Sequence, residues 1–115
     1  MITGIEVLKF GVEDRAEAQT FLADFGLTAT TSDIEGTDLY QTQNGCKVYL
    51  FDIADERLPE AIEAGSTLRE VTWGVENDQD LDALKAKLSA EPKFNATDSQ
   101  VECLDPNGMT IVFKK

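Results

Sequence analysis

Two segments of the chain follow one pattern: VLKFGVED at Val7–Asp14 and EVTWGVEN at Glu70–Asn77. In both, every second residue is apolar until an acidic or amide residue appears, which is typical of a strand that leads into a helix. The shared Gly-Val-Glu begins at Gly11 and again at Gly74, an offset of 74 minus 11, or 63 residues. A repeat at a fixed offset indicates an internal duplication.

A second match tests whether that offset is accidental. The turn dipeptide Asn44-Gly45 recurs as Asn107-Gly108, and 107 minus 44 is again 63. An apolar run follows each copy, as expected for a hairpin turn that opens a strand. The sequence therefore predicts one domain over residues 1–115. It holds unit 1 over about residues 1–54, a connector over about residues 55–66, and unit 2 over about residues 67–115.

Each unit reads as strand, helix and three strands. In unit 1, Asp14 is the predicted N-cap of a helix that ends near Gly26. In unit 2, Asn77 or Asp78 takes the capping position and Pro92 closes the helix. The connector holds acidic residues, a proline and a glycine, and we expect no more than one short helix in it. Four large apolar residues superpose at the offset, and we place them in the core: Phe21 on Leu84 and Phe25 on Leu88.

Composition excludes several classes of partner. The chain carries 10 Lys and Arg against 22 Asp and Glu, a formal charge of -12. That charge repels phosphate backbones and anionic membrane surfaces, so we expect no nucleic-acid or membrane partner. No apolar run is long enough to cross a membrane and no signal-peptide pattern is present, so we expect a cytoplasmic protein. Solubility explains the acidity, and a cationic partner is the alternative.

Histidine is absent, which removes the commonest metal ligand and the commonest general base. The two cysteines, Cys46 and Cys103, lie in apolar strand-like contexts. We expect two buried free thiols, because nothing in the spacing demands a disulfide.

The opening FGVED at Phe10–Asp14 and the closing DPNGMTIVF at Asp105–Phe113, together with the duplication, resemble the vicinal oxygen chelate superfamily. That superfamily includes glyoxalase I, bleomycin-resistance proteins, fosfomycin-resistance enzymes and extradiol dioxygenases. The resemblance implies an α+β fold in which two tandem βαβββ units form a partly closed, barrel-like sheet with the helices outside. Residues Ile2 to Phe25 also resemble the N-terminal, non-catalytic domain of two-domain extradiol-dioxygenase-type proteins.

The resemblance implies four metal-ligand positions, which in this chain are Val7, Tyr49, Glu70 and Val112. One carboxylate among them cannot hold a divalent ion, which needs several oxygen or nitrogen ligands at once. We therefore predict no metal, no cofactor and no catalytic residue of the family type.

Strand alternation places seven side chains on the concave face of the sheet: Val7, Lys9, Tyr49, Glu70, Thr72, Thr110 and Val112. An apolar surface with a few polar groups is the usual make-up of a small-molecule pocket. A vestigial site filled by its own side chains would have the same composition. Lys9 and Glu70 occupy neighbouring register positions, so they pair either as a structural ion pair or as groups that orient a ligand.

The leading hypothesis is a metal-free domain that binds a small molecule or acts as a non-catalytic scaffold in a dioxygenase-like or glyoxalase-like protein. The first alternative is a self-standing, drug-sequestering protein of the bleomycin-resistance kind, whose acidity would suit a cationic drug. The second is an enzyme that uses metal-independent chemistry in the same cavity. Because small sheets must protect their edges, we also expect a homodimer.

Overall fold

A computed structural model describes all residues, 1–115, and it contains one sheet and two helices. The elements in chain order are β1 (Ile2–Val12), α1 (Arg15–Asp24), β2 (Thr28–Thr30), β3 (Asp38–Gln41), β4 (Lys47–Asp52), β5 (Thr67–Val75), α2 (Asp78–Leu88), β6 (Asn95–Ala96), β7 (Gln100–Leu104) and β8 (Thr110–Lys114). The order βαβββ therefore occurs twice. Neither helix is long and apolar enough to cross a membrane.

The eight strands form one mixed sheet in the order β2-β3-β4-β1-β5-β8-β7-β6. β1 pairs antiparallel with β5 at the centre, and each of these strands pairs in parallel with the last strand of its own unit, β4 or β8. The sheet does not close, because β2 and β6 remain as its edges. The predicted α+β class with two βαβββ units is confirmed.

The central register gives the two units an approximate two-fold relation. In the β1–β5 pair, Val7 lies opposite Thr72 and Lys9 lies opposite Glu70. Adding the offset of 63 turns Val7 into Glu70 and Lys9 into Thr72, so each of these pairs maps onto the other. The concave faces of the two units therefore meet where β1 pairs with β5.

Helix starts repeat at the same offset. The carboxylate of Asp14 accepts a hydrogen bond from the backbone N–H of Glu17 at 3.0 Å. The side-chain oxygen of Asn77 accepts from the N–H of Asp80 at 2.9 Å. Each cap satisfies one of the free N–H groups of a first helical turn, which is why these residue types stand there.

The hairpin turns repeat as well. Gly45 and Gly108 both adopt the left-handed region, at φ of 88° and 87°, where glycine avoids the strain of a side chain. The N–H of Thr42 bonds the carbonyl of Cys46, and the N–H of Asp105 bonds that of Met109. Equal turn geometry at the offset explains why the Asn-Gly signal was visible in the sequence.

The connector is turns and bends without a helix over residues 53–66, so the short helix considered there does not form. Instead, Leu58 is buried with Tyr49 and Phe51 on the concave side of unit 1. The guanidinium of Arg69 holds the connector in place by donating to the carbonyls of Pro59, at 2.8 Å, and Ile53, at 3.0 Å. The connector thus covers part of the concave face of unit 1.

That cover explains the glycine of the first repeated motif. A Cβ at Gly11 would lie 3.0 Å from Leu58 Cδ1 and 3.3 Å from Arg69 Cζ. At the equivalent Gly74, a Cβ would collide with the side chains of Thr3 and Glu6. At both positions a larger residue would have to displace side chains of other segments that lie close to the backbone.

Cys46 is half-buried and Cys103 is buried, and both are free thiols. Burial raises the pKa of each thiol, so both are protonated at neutral pH.

The placement of Phe21 and Phe25 in the core is wrong. Their side chains are 64% and 75% exposed, and the two rings stack on each other with centroids 5.7 Å apart. The sheet-facing positions of α1 are Ala18 and Leu22, so the two phenylalanines lie on the flank of the helix. In α2 the position equivalent to Ala18 is Leu81, which is 1% exposed and anchors that helix.

This difference predicts unequal costs for two truncations. We expect Phe21→Ala to change the free energy of unfolding by about 0.5 kcal/mol or less, because an exposed ring loses little contact. Leu81→Ala should lower it by about 2–5 kcal/mol, because it leaves a cavity. Urea unfolding of both variants measures the two values. A loss above about 2 kcal/mol for Phe21→Ala would place that ring in the core after all.

Candidate functional site

The concave face carries a cavity of about 340 Å³, which we call the cup. Six of the seven side chains predicted for this face line it: Val7, Lys9, Tyr49, Glu70, Thr72 and Val112. The seventh, Thr110, lines an adjoining cavity of about 390 Å³ beside the connector. Glu70 and Glu102 line both cavities, so the two spaces are neighbours on one surface.

Strand pairing fixes these positions. In the parallel β1–β4 pair, Val7 lies beside Lys47 and Lys9 beside Tyr49. In the equivalent β5–β8 pair, Glu70 lies beside Thr110 and Thr72 beside Val112. Because side chains alternate between the faces of a sheet, all of these residues point to the concave side.

The ion pair between Lys9 and Glu70 crosses the junction of the two units. Lys9 Nζ lies 3.1 Å from Glu70 Oε2, and the two side chains are 28% and 13% exposed. Both charges therefore keep some contact with solvent. Both residues line the cup, so their charged groups lie within reach of a bound molecule.

Tyr49 is only 4% exposed, and its hydroxyl donates a hydrogen bond to Asp33 Oδ1 at 2.5 Å. Burial, together with this hydrogen bond and the charge of Asp33, raises the pKa of Tyr49 to about 12. The hydrogen bond from Tyr49 in turn lowers the pKa of Asp33. At neutral pH the pair consists of a phenol that donates and a carboxylate that accepts.

Six further residues line the cup: Asp33, Ile34, Lys47, Gln100, Glu102 and Lys114. Strand alternation contained the signal for Lys47, which is the unit 1 counterpart of Thr110, since 110 minus 47 is 63. It also contained the signal for Lys114, Gln100 and Glu102, which share the face of Val112. Asp33 lies between β2 and β3, where no periodicity predicts the direction of a side chain.

The two added lysines differ from Lys9 in their partners. Neither Lys47 nor Lys114 has a carboxylate oxygen within 4.0 Å of its ammonium group. The carboxylate of Asp33 accepts a hydrogen bond from Tyr49, and that of Glu102 accepts one from Asn95 at 3.3 Å. The cup thus presents two cationic groups that form no ion pair within 4.0 Å.

The donor set does not fit a divalent metal. Two of the four implied ligand positions, Val7 and Val112, offer no donor atom. Tyr49 keeps its proton and donates a hydrogen bond to Asp33, and Glu70 is held by Lys9. The chain brings no three His, Cys, Asp or Glu side chains into a group that could hold a metal ion. No chemical step of this site is therefore assigned to a metal.

The raised pKa of Tyr49 predicts a stability change at high pH. Its folded pKa of about 12 exceeds the ordinary value of 10.0, so the folded state retains the phenol proton more strongly. This contribution to stability is complete below pH 10.0 and is lost as the pH rises to about 12. We expect Tyr49→Phe, which cannot ionise, to gain about 1–3 kcal/mol on the parent across that window.

Urea unfolding of both proteins from neutral pH to pH 12 measures that difference. The same comparison in an Asp33→Asn background is the control. There the change should be smaller, because the carboxylate charge no longer opposes the phenolate. A stability difference that stays constant over the window would contradict the assignment.

No protein-family model and no curated protein sequence matches the chain. Solved structures do match. The Mn(II)-bound glyoxalase from Novosphingobium aromaticivorans superposes with a TM-score of 0.71 at 20% identity, over 98% of this chain and 38% of that one. A catechol 2,3-dioxygenase gives 0.75 at 16% identity, over 98% of this chain and 41% of that one.

A smaller protein matches over most of both chains. Methylmalonyl-CoA epimerase from Mycobacterium tuberculosis gives a TM-score of 0.58 at 17% identity, over 98% of this chain and 87% of that one. The chain thus spans about two fifths of the glyoxalase and the dioxygenase but nearly the whole epimerase. The fold is the vicinal oxygen chelate fold, as the sequence resemblance predicted.

Proposed function

We propose that the chain is a metal-independent, non-catalytic domain that binds a small organic anion in the cup. One observation carries this proposal. A cavity of about 340 Å³, within the size range of small-molecule sites, is lined by Lys47 and Lys114, and neither ammonium group has a carboxylate oxygen within 4.0 Å.

The cup holds three lysines and three carboxylates, so it is formally neutral although the whole chain is acidic. Of the three carboxylates, Glu70 forms an ion pair with Lys9, whereas Asp33 and Glu102 accept hydrogen bonds from neutral groups, the hydroxyl of Tyr49 and the amide of Asn95, and keep their charges. Lys47 and Lys114 have no ion-pair partner within 4.0 Å, and a carboxylate is the simplest ligand group that would pair with them. A cationic drug, as in the sequestering alternative, would be repelled by these two lysines and would have to pair with Asp33 or Glu102, whose oxygens already accept hydrogen bonds.

Shape and polarity restrict the rest of the ligand. Val7 and Val112 supply apolar surface in the middle of the cup, and Ile34 supplies more at its side. The hydroxyl of Thr72 and the amide of Gln100 are the neutral polar groups. The ligand that fits best has a compact apolar body, aromatic or branched aliphatic, that carries one acidic group.

Catalysis is not part of this proposal. A general base works best with a pKa near the operating pH. The pKa of Tyr49 is about 12, and that of Asp33 is lowered by the same hydrogen bond. The alternative of metal-independent chemistry in the cup therefore has weaker support than binding.

A second candidate function is a non-catalytic domain of a longer protein. Its support is the coverage of 38% and 41% on the glyoxalase and dioxygenase structures, in which this fold is one part of a longer chain. In that case the cup would be a structural relic, and its charges would serve stability alone.

Two further parts of the proposal come from the sequence alone: a homodimer and a cytoplasmic location. The edge strands β2 and β6 are the surfaces by which a sheet could pair with a second copy, but they have only 3 and 2 residues. Short edges are themselves protection against pairing.

The proposal predicts discrimination between two probes of nearly equal shape. Benzoate should perturb the backbone amide signals of β1, β4, β5 and β8 in an NMR titration, whereas benzylamine should not. Lys47→Met should weaken benzoate binding about tenfold, the loss expected for one charge-assisted hydrogen bond. Lys85→Met removes an equal charge from α2, where it pairs with Asp82, and serves as the matched control.

The other outcomes separate the alternatives. Binding of benzylamine in preference to benzoate would support the sequestering protein and contradict our choice of ligand. No binding of either probe would favour the scaffold domain. Equal losses for Lys47→Met and Lys85→Met would show that only the overall charge matters.

A further inference from the structure

A second concavity lies on the opposite face of the sheet, between α1 and the strands of unit 1. It is an open groove of about 440 Å³. Its floor comes from Val12, Val48 and Leu50, and its wall from Ala18, Phe21 and Leu22. The groove is mainly apolar, and the cup shares none of these residues. The groove is therefore a site separate from the cup.

Unit 2 shows what normally fills this space. At the position of Ala18 it has Leu81, since 81 minus 18 is 63, and Leu81 is packed between Val75 and Val101. A remnant cavity of only about 180 Å³ persists there, and Met1 and Ile2 line it. The large side chain of Leu81 and the chain segment beside it thus occupy most of the space that is open in unit 1.

Unit 1 lacks both of these occupants. Alanine replaces leucine on the helix. At the positions equivalent to Met1 and Ile2, the offset of 63 gives Ala64 and Gly65, which carry almost no side chain. The groove therefore follows from three small residues at positions that are large in the other copy.

The apolar surface continues past the groove. Phe21 and Phe25 stack along α1, and both are mostly exposed. Exposed aromatic rings beside a pocket are typical of protein-binding surfaces. An occupant that covered the groove and both rings would have to extend along more than one helical turn, which is longer than the ligand proposed for the cup.

The rim of the groove is acidic. Glu13, Asp14 and Glu17 line it, and none of them has a cationic side chain within 4.0 Å. A second copy of this chain would bring its own charge of -12 against this rim, so self-association through the groove is opposed. A partner with basic residues around an apolar face would complement both features.

We propose that this groove docks a cationic amphipathic helix of a partner polypeptide. The partner would insert a large apolar side chain next to Ala18, where Leu81 stands in unit 2, and place Lys or Arg against Glu13 and Glu17. Recognition of this kind combines apolar anchors at helical spacing with charge at the rim. The inference is independent of the ligand proposed for the cup.

The test uses a fluorescein-labelled helical peptide with Leu at positions i, i+3, i+4 and i+7 and Lys elsewhere, titrated with the intact protein at physiological ionic strength. Fluorescence anisotropy should show saturable binding. Ala18→Leu fills the groove and should weaken binding at least about tenfold, the loss of one anchoring contact. Phe25→Ser, at an exposed site, should weaken binding with little effect on folding, and it replaces Ala18→Leu if that variant does not fold.

Charge is tested by a matched pair. Glu17→Gln should weaken binding, whereas Glu91→Gln, an exposed site in unit 2, should not. A peptide with Glu in place of every Lys should fail to bind. The inference is overturned if the Leu/Lys peptide does not bind, if neither Ala18→Leu nor Phe25→Ser weakens its binding, or if the Glu peptide binds equally well. It is also overturned if sedimentation shows a parent dimer that Ala18→Leu dissociates, because the groove would then belong to a second copy.

Discussion

The antiparallel pairing of β1 with β5 is the constraint on which the rest of this structure depends. It is the only link between the two four-stranded halves of the sheet. Its register sets Lys9 opposite Glu70 and Val7 opposite Thr72, so the two concave faces form one continuous surface. A slip of one residue would turn every side chain of one strand to the other face and dismantle the cup. Gly11 and Gly74 belong to the same constraint, because each lets another segment approach the paired strands.

The duplication produced two units with the same backbone arrangement, and later divergence gave them different surface residues. The caps at Asp14 and Asn77 and the turns at Gly45 and Gly108 kept their geometry because they build the frame. The concave positions changed instead: Lys9 stands against Thr72, Lys47 against Thr110 and Tyr49 against Val112 at the offset of 63. Unit 1 therefore supplies two of the three cationic side chains of the cup. The same divergence opened the groove beside α1.

The sequence predicted the features that follow from the internal repeat and from strand alternation. The offset of 63 and strand alternation were sufficient for the element order and for six of the twelve side chains that line the cup. Long-range contacts were not accessible to that reasoning. Leu58 of the connector is buried against the sheet, and Arg69 holds the connector there by a hydrogen bond to Pro59. The loop before β3 brings Asp33 within hydrogen-bond distance of Tyr49. The error at Phe21 and Phe25 has a similar cause. Helical spacing identifies the apolar residues of α1 but not which of them face the sheet, and the sheet-facing residue Ala18 is too small to stand out in the sequence.

The account rests on the cup being a pocket and not a filled relic, and the ion pair at its centre distinguishes the two. Denaturant unfolding of Lys9→Met, Glu70→Gln and the double variant measures this most directly. We expect each single variant to lose about 1 kcal/mol or less, because both charges keep contact with water. Losses of about 3–5 kcal/mol in both single variants, largely recovered in the double variant, would show a sealed structural pair and contradict the account.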